Sequence, residues 1–188
     1  ISTVFDHSLL ILGTPGAGKT TVLLELASDL LVRATEDPAD PIPVVFNLSS
    51  WAIARQPLEI WLADELNKRY PVSKKIAKYW VEQNALLLLL DGLDEVEPQY
   101  QNECIDAINK FHQERKVDMV VCSRIADYEA QQSRLQLDRA ILLKSLTLSQ
   151  IDEYLDKFGA EYSALRKALT TDEALQELAE TPMLLNIM

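Results

Sequence analysis

Gly13-Thr14-Pro15-Gly16-Ala17-Gly18-Lys19-Thr20 holds three of the five glycines in a chain of 188 residues. Glycine makes up about 7% of an average chain, so this sequence is poor in glycine and concentrates it in one turn. The spacing is G-x-x-x-x-G-K-[ST]. It follows Ser8-Leu9-Leu10-Ile11-Leu12, an apolar run of strand length, and precedes Thr21-Val22-Leu23-Leu24-Glu25-Leu26-Ala27, whose apolar residues recur at helical spacing. Glycines let a strand-to-helix turn adopt positive φ and bring bare backbone N–H groups around an anion. The helix that follows adds its unpaired N–H groups and the positive end of its dipole. The ligand this implies is the phosphate chain of a nucleoside triphosphate, cradled by Gly13 to Thr21. Lys19 is expected to reach the β- and γ-phosphates and the Thr20 hydroxyl to hold Mg²⁺.

The second informative stretch is Ala85-Leu86-Leu87-Leu88-Leu89-Leu90-Asp91-Gly92-Leu93-Asp94-Glu95. An apolar run without alternation, closed by an aspartate, reads as a parallel strand buried on both faces. Its carboxylate then emerges at the C-terminal edge of the sheet, where α/β folds bind ligands. Asp91 is the expected second Mg²⁺ contact, through water because Mg²⁺ dehydrates reluctantly. Asp94 and Glu95 are expected to position and deprotonate an attacking water, and the sequence leaves open which of them does so.

Composition bounds the alternatives. The chain is 48% hydrophobic with net charge −11, which suits one cored domain with a small appendage and disfavours nonspecific nucleic-acid binding. No run of 18 apolar residues suggests a membrane span, and no signal peptide is visible. Cys104 and Cys122 read as reduced core thiols of a cytoplasmic protein. His7 and His112 are single, so no metal cluster is expected. The chain begins at Ile1 and ends on the apolar Leu184-Leu185-Asn186-Ile187-Met188, which suggests a piece of a longer protein.

The periodicities predict strands at 8–12, 44–48, 85–90, 117–122 and 140–143. Helices are expected to about residue 34 and at 58–70, 73–84 and 99–114. Alternating strands and helices imply an α/β fold with a five-stranded, parallel, doubly wound sheet. From Thr147 onward only helices are expected. Thr147 to Gln150 is a capping-box sequence, Gly159 closes that helix, Thr170 to Glu173 opens another, and Thr181-Pro182 is an N-cap followed by proline. The expected organisation is a nucleotide-binding domain over 1–146 and a small helical subdomain over 147–188.

Together the loop "LLILGTPGAGKTT", the strand "LLLLLDGLDEV", the strand end "VVCSR" and the late "LAETPMLLNIM" resemble the NACHT domains, which are STAND-class P-loop NTPases related to AAA+ ATPases. The segment "PIPVVFNLSSWA" also resembles the second strand of bacterial NACHT proteins. The resemblance runs from Ser8 to Met188, and the "DGLDE" block is its specific part. It implies that Gly18, Lys19 and Thr20 bind phosphates and Mg²⁺, with Asp91 the first acid and Asp94 and Glu95 the second acidic pair. Arg124 is similar to the arginine that senses the γ-phosphate, where a guanidinium fork suits the anion. Pro182 is similar to the helical-subdomain proline that packs on the base, and the stretch 4–7 is expected to cover the base as well. The family's winged-helix portion would lie beyond Met188.

Three functions fit. The first is a regulatory switch, in which binding and slow hydrolysis of ATP toggle an oligomerising signalling protein. Its sensor and effector domains would belong to the same parent chain. The second is an AAA+-like motor or loader, and the third a small-molecule kinase. A kinase has no need of paired carboxylates to activate water. No N-K-x-D segment reads a guanine base, which favours ATP/ADP over GTP without deciding it.

Overall fold

A computed structural model describes residues 8–157 and 162–185. The stretch 4–7 and Gly159 lie outside the described residues. The order of elements is β1 (Leu9–Gly13), α1 (Lys19–Glu36), β2 (Ile42–Asn47), α2 (Trp51–Ala54), α3 (Leu58–Arg69), α4 (Lys74–Glu82) and β3 (Leu86–Asp91). It continues with α5 (Pro98–Arg115), β4 (Met119–Arg124), α6 (Ile125–Glu129), β5 (Arg139–Leu143), α7 (Leu148–Asp156), α8 (Ser163–Leu169), α9 (Glu173–Ala179) and α10 (Pro182–Leu185).

The strands form one five-stranded sheet in the order β2-β3-β4-β1-β5. Strand β3 pairs in parallel with β2 (Val44 opposite Leu88, Asn47 opposite Asp91) and with β4 (Leu89 opposite Val120). The fold is the expected α/β, P-loop type. Leu86 to Leu90 are all buried, which is why that run shows no alternation. Against β2 to β4 lie Leu58, Trp61, Leu62 and Leu66 of α3, Ala77 and Val81 of α4, and Cys104, Ile105 and Ile108 of α5. The rings of Phe46 and Trp61 meet with centroids 5.6 Å apart. Both buried indoles are satisfied: Trp51 Nε1 donates to the Gln56 carbonyl at 3.0 Å, and Trp61 Nε1 to Ser50 Oγ at 3.1 Å. Burial pushes the Cys104 thiol up to about 12, so it packs as an inert apolar group.

The chain divides into two compact units. One holds β1 up to Leu12 together with Lys19–Leu142, and the other holds Gly13–Gly18 together with the chain from Leu143 onward. The second unit has its own small core of Ile151, Leu155, Leu169, Ala179 and Leu185. Helix α7 carries the expected capping box: Gln150 N–H donates to Thr147 Oγ1, and Thr147 N–H donates to Gln150 Oε1.

Some local expectations shift. Helix α9 is opened by Asp172, whose Oδ1 accepts from Leu175 N–H at 3.0 Å. Thr170 instead ends α8, and its hydroxyl donates to the Lys167 carbonyl. An aspartate closer to the apolar run thus outcompetes the threonine as the cap. The short helices α2 and α6 were not expected, because four or five residues give no measurable period.

One buried charge organises α3. The Glu65 side chain is 4% exposed and receives Lys68 Nζ at 3.0 Å and Arg69 Nε at 2.9 Å. Burial alone would raise its pKa, but the hydrogen bonds from Lys68 and Arg69 outweigh burial and hold the carboxyl below the usual glutamate value. A depressed folded pKa stabilises above the unfolded pKa, and that contribution is lost as pH falls through the folded value. Both cations are exposed, so the expected contribution is about 1 kcal/mol. The fall in urea-unfolding free energy between neutral pH and about pH 3 should therefore be smaller in Glu65→Gln than in the wild type. An identical fall in both proteins would show that Glu65 is not held below its ordinary pKa.

Candidate nucleotide-binding site

The glycine-rich turn is built as the sequence demands. Gly16 has φ +75° and Gly18 has φ +87°, and Ala17 N–H closes the turn on the Thr14 carbonyl at 3.2 Å. Thr14 and Pro15 are exposed and Ala17 is buried. A Cβ on Gly16 would lie 2.6 Å from the Thr181 methyl, and the Gly16 carbonyl accepts from Met183 N–H at 3.4 Å. The turn therefore packs on the start of α10, where Pro182 is the first residue. Pro182 also lines a hollow with Leu146, Gln150, Tyr154 and Leu185.

Helix α1 begins at Lys19, so the lysine, Thr20 and Thr21 occupy its first turn. Thr20 Oγ1 donates to Asp91 Oδ2 at 2.7 Å, which joins the start of α1 to the tip of β3 across 71 residues. These are two hard oxygen donors, and among the described residues no group of three or more His, Cys, Asp and Glu side chains is placed to hold a metal. A hydroxyl and one carboxylate suit Mg²⁺, which completes its shell with phosphate oxygens and water. The donor set fits that ion.

After Asp91 the chain turns through Gly92, at φ +75°, into a short 3₁₀ turn over Leu93–Glu95. The two acids of that turn have different surroundings. The Asp94 side chain is 7% exposed, and both its oxygens are engaged by one residue: Oδ1 accepts from Arg124 N–H at 3.0 Å, and Oδ2 lies 2.9 Å from Arg124 Nε. Glu95 is exposed and folds back over Gly92, and its Oε2 accepts from Asn47 Nδ2 at 2.9 Å. Arg124 is the last residue of β4 and the residue before α6, with its side chain 48% exposed. Cys122, two residues earlier, is buried, and burial followed by the neighbouring Asp91 carboxylate pushes its thiol up.

Sequence reasoning missed Asn47 and two glutamines, Gln101 and Gln131. Asn47 was detectable: it is a polar residue closing an apolar strand, opposite Asp91 in register. The glutamines sit in helix and loop with no motif around them.

The NACHT domain family profile matches residues 7–162. No curated protein sequence matches the chain. Among solved structures, the Aeropyrum pernix ORC1 protein in complex with DNA aligns with TM-score 0.55 at 19% identity, over 82% of this chain and 44% of that one. PCH-2 of C. elegans aligns with TM-score 0.49 at 16% identity, over 84% and 41%. A katanin structure concerned with self-assembly aligns with TM-score 0.46 at 14% identity, over 80% and 44%. The chain thus spans less than half the length of these structures, and the likeness to ORC1 is one of fold.

A Cβ on Gly92 would lie 2.8 Å from Glu95 Oε2, whereas one on Gly18 would meet nothing within 4 Å. Both positions have positive φ, so alanine at either carries about 1–2 kcal/mol of backbone strain. Only Gly92→Ala should also dislodge Glu95 from Asn47. The costs of Gly92→Ala and Asn47→Ala, measured by urea unfolding, should then add to more than the cost of the double variant. Strict additivity would show that Gly92 and Asn47 do not hold the same side chain.

Proposed function

The chain belongs to the NACHT domain family of STAND-class P-loop NTPases, and from that premise we propose that it is an ATP-operated regulatory switch with slow, Mg²⁺-dependent hydrolysis. The observation that carries this reading is the arrangement around Arg124. Its guanidinium is held by Asp94 at the tip of β4, beside the β3 tip that carries Asp91, and half of the side chain faces solvent. A cation with one internal partner and open donors is suited to a second anion, and in this reading that anion is the γ-phosphate. ADP has no γ-phosphate, so the two nucleotides would leave Arg124 in different states.

The roles follow from the surroundings. Backbone N–H groups of the turn from Gly13 to Gly18 and of Lys19, Thr20 and Thr21 bind phosphate oxygens, and Lys19 adds the charge that β- and γ-phosphates require. Thr20 and Asp91 hold Mg²⁺, which when bound neutralises phosphate charge and orients the triphosphate. Glu95, exposed and oriented by Asn47, takes the proton of the attacking water. Asp94, already saturated by Arg124, positions rather than abstracts. Pro182 packs on the base, as the resemblance to the family implies. Hydrolysis is slow because it serves a change of state rather than turnover. Nucleotide-dependent self-association, with sensor and effector domains in the same parent chain, completes the switch. Among the described residues no helix is long and apolar enough to cross a membrane.

ATP at a hundredfold excess over its dissociation constant should stabilise the wild type by about 2.7 kcal/mol. Lys19→Ala should abolish that gain without unfolding the sheet. Glu95→Gln should reduce turnover by about 10²-fold or more with ATP affinity nearly unchanged, as loss of a general base requires. Asp94→Asn should instead alter the preference for ATP over ADP. Equal thermal stabilisation of wild type and Lys19→Ala by Mg²⁺-ATP would overturn the binding site, and full turnover in Glu95→Gln would remove its role.

A further inference from the structure

Gln101 is a polar side chain 3% exposed on the face of α5 that also buries Cys104, Ile105 and Ile108. A buried amide is costly unless its hydrogen bonds are made, and those of Gln101 all run to the candidate site. Its Nε2 donates to the Val96 carbonyl at 2.9 Å and to the Asp94 carbonyl at 3.3 Å, which grips the turn carrying Asp94 and Glu95 from behind. Its Oε1 accepts from Gln131 Nε2. That same nitrogen of Gln131 donates to the Asp127 carbonyl at 3.0 Å, in the helix that starts directly after Arg124. The neighbouring Asn102 fastens the following loop, its Oδ1 accepting from Gln132 N–H at 3.0 Å and Ser133 N–H at 2.9 Å.

The acidic turn and the Arg124 segment are thus joined twice. The direct link is the Asp94–Arg124 pair, and the second is the buried path through Gln101 and Gln131. We propose that Gln101 and Gln131 are positioning residues that keep the acidic turn and the arginine in register while the guanidinium is shared with phosphate. The inference rests on the switch reading above. The direct link is the part of the joint that Arg124 shares with an anion, through the guanidinium N–H groups that Asp94 leaves open. The glutamine path has no group that meets nucleotide, so it is unchanged by the exchange. It fixes where Glu95 and Arg124 stand relative to each other. Its loss should therefore affect discrimination and turnover while leaving the phosphate turn's affinity for ADP intact.

The test uses Gln101→Met, which keeps the volume and removes the amide, and Gln131→Ala, which leaves the half-buried loop side without its donor. Calorimetric dissociation constants for ATP and ADP, each with and without Mg²⁺, are read beside kcat and KM. The ratio of ADP to ATP dissociation constants should shrink about five- to tenfold in each variant, the value of a buried neutral hydrogen bond. ADP affinity should stay within about twofold, kcat should fall, and the double variant should be no worse than either single one. If Gln101→Met fails to fold, Gln131→Ala carries the same expectation from a position that tolerates truncation. Variants with wild-type discrimination and kcat but a lower melting temperature would overturn the proposal, since the glutamines would then be packing only. Additive losses in the double variant would overturn it as well. A wild type that binds ATP and ADP alike and shows no turnover would instead sink the switch reading, and this inference with it.

Discussion

Strand β3 has no solvent face, and the rest of the structure follows from that constraint. Leu86 to Leu90 are each 4% exposed or less, so nothing polar is tolerated along the strand. The first polar side chain must wait for the sheet's edge. Asp91 is that residue, and its carboxylate is placed by the length of the leucine run rather than by any local motif. β2 and β4 pair in register on either side and bring Asn47 and Arg124 to the same edge. Gly92 then turns the chain in a left-handed conformation that glycine adopts without strain, and Asp94 and Glu95 reach Arg124 and Asn47 at those two tips.

The same constraint explains how much was legible in the sequence. The turn from Gly13 to Thr20 declares itself because close approach of backbone to an anion demands glycine at fixed intervals. The β3 run declares itself because burial on both faces removes the polar alternation. Both signals are local and covalent. Asn47 was marked only by its place at the end of an apolar strand, its partner Glu95 lying 48 residues away, whereas Gln101 and Gln131 act across 7 and 30 residues with nothing in their own neighbourhoods to mark them. The ends of α8 and α9 were misplaced because Thr170 and Asp172 compete for one cap, and only the packing of α9 decides between them.

The adjacency of the phosphate turn and α10 was also beyond the sequence. Gly16 lacks a side chain for two reasons: its φ is positive, and the Thr181 methyl occupies the space a Cβ would need. One glycine is thus required both by a positive φ and by packing within its own unit. Pro182 fixes the start of α10 immediately beside that contact, and Leu185 of the same helix anchors it in the small core.

The proposed switch role of Arg124 can be weighed against the strength of its ion pair. Its partner Asp94 is nearly buried, but half of the guanidinium faces water, and an ion pair exposed on one side contributes about 1 kcal/mol or less. Coupling free energies between a ligand and a conformational equilibrium run at about 1–3 kcal/mol. In the proposed switch, the exposed half of the guanidinium takes up a phosphate without unfolding its surroundings and is released when the phosphate leaves. Asp94 itself is nearly buried, so full separation would leave its charge uncompensated, and the proposed exchange therefore uses the exposed N–H groups while Nε stays on Asp94. The half-exposed position at the tip of β4 is therefore what the proposed switch asks of its arginine, a contact that can be made and released.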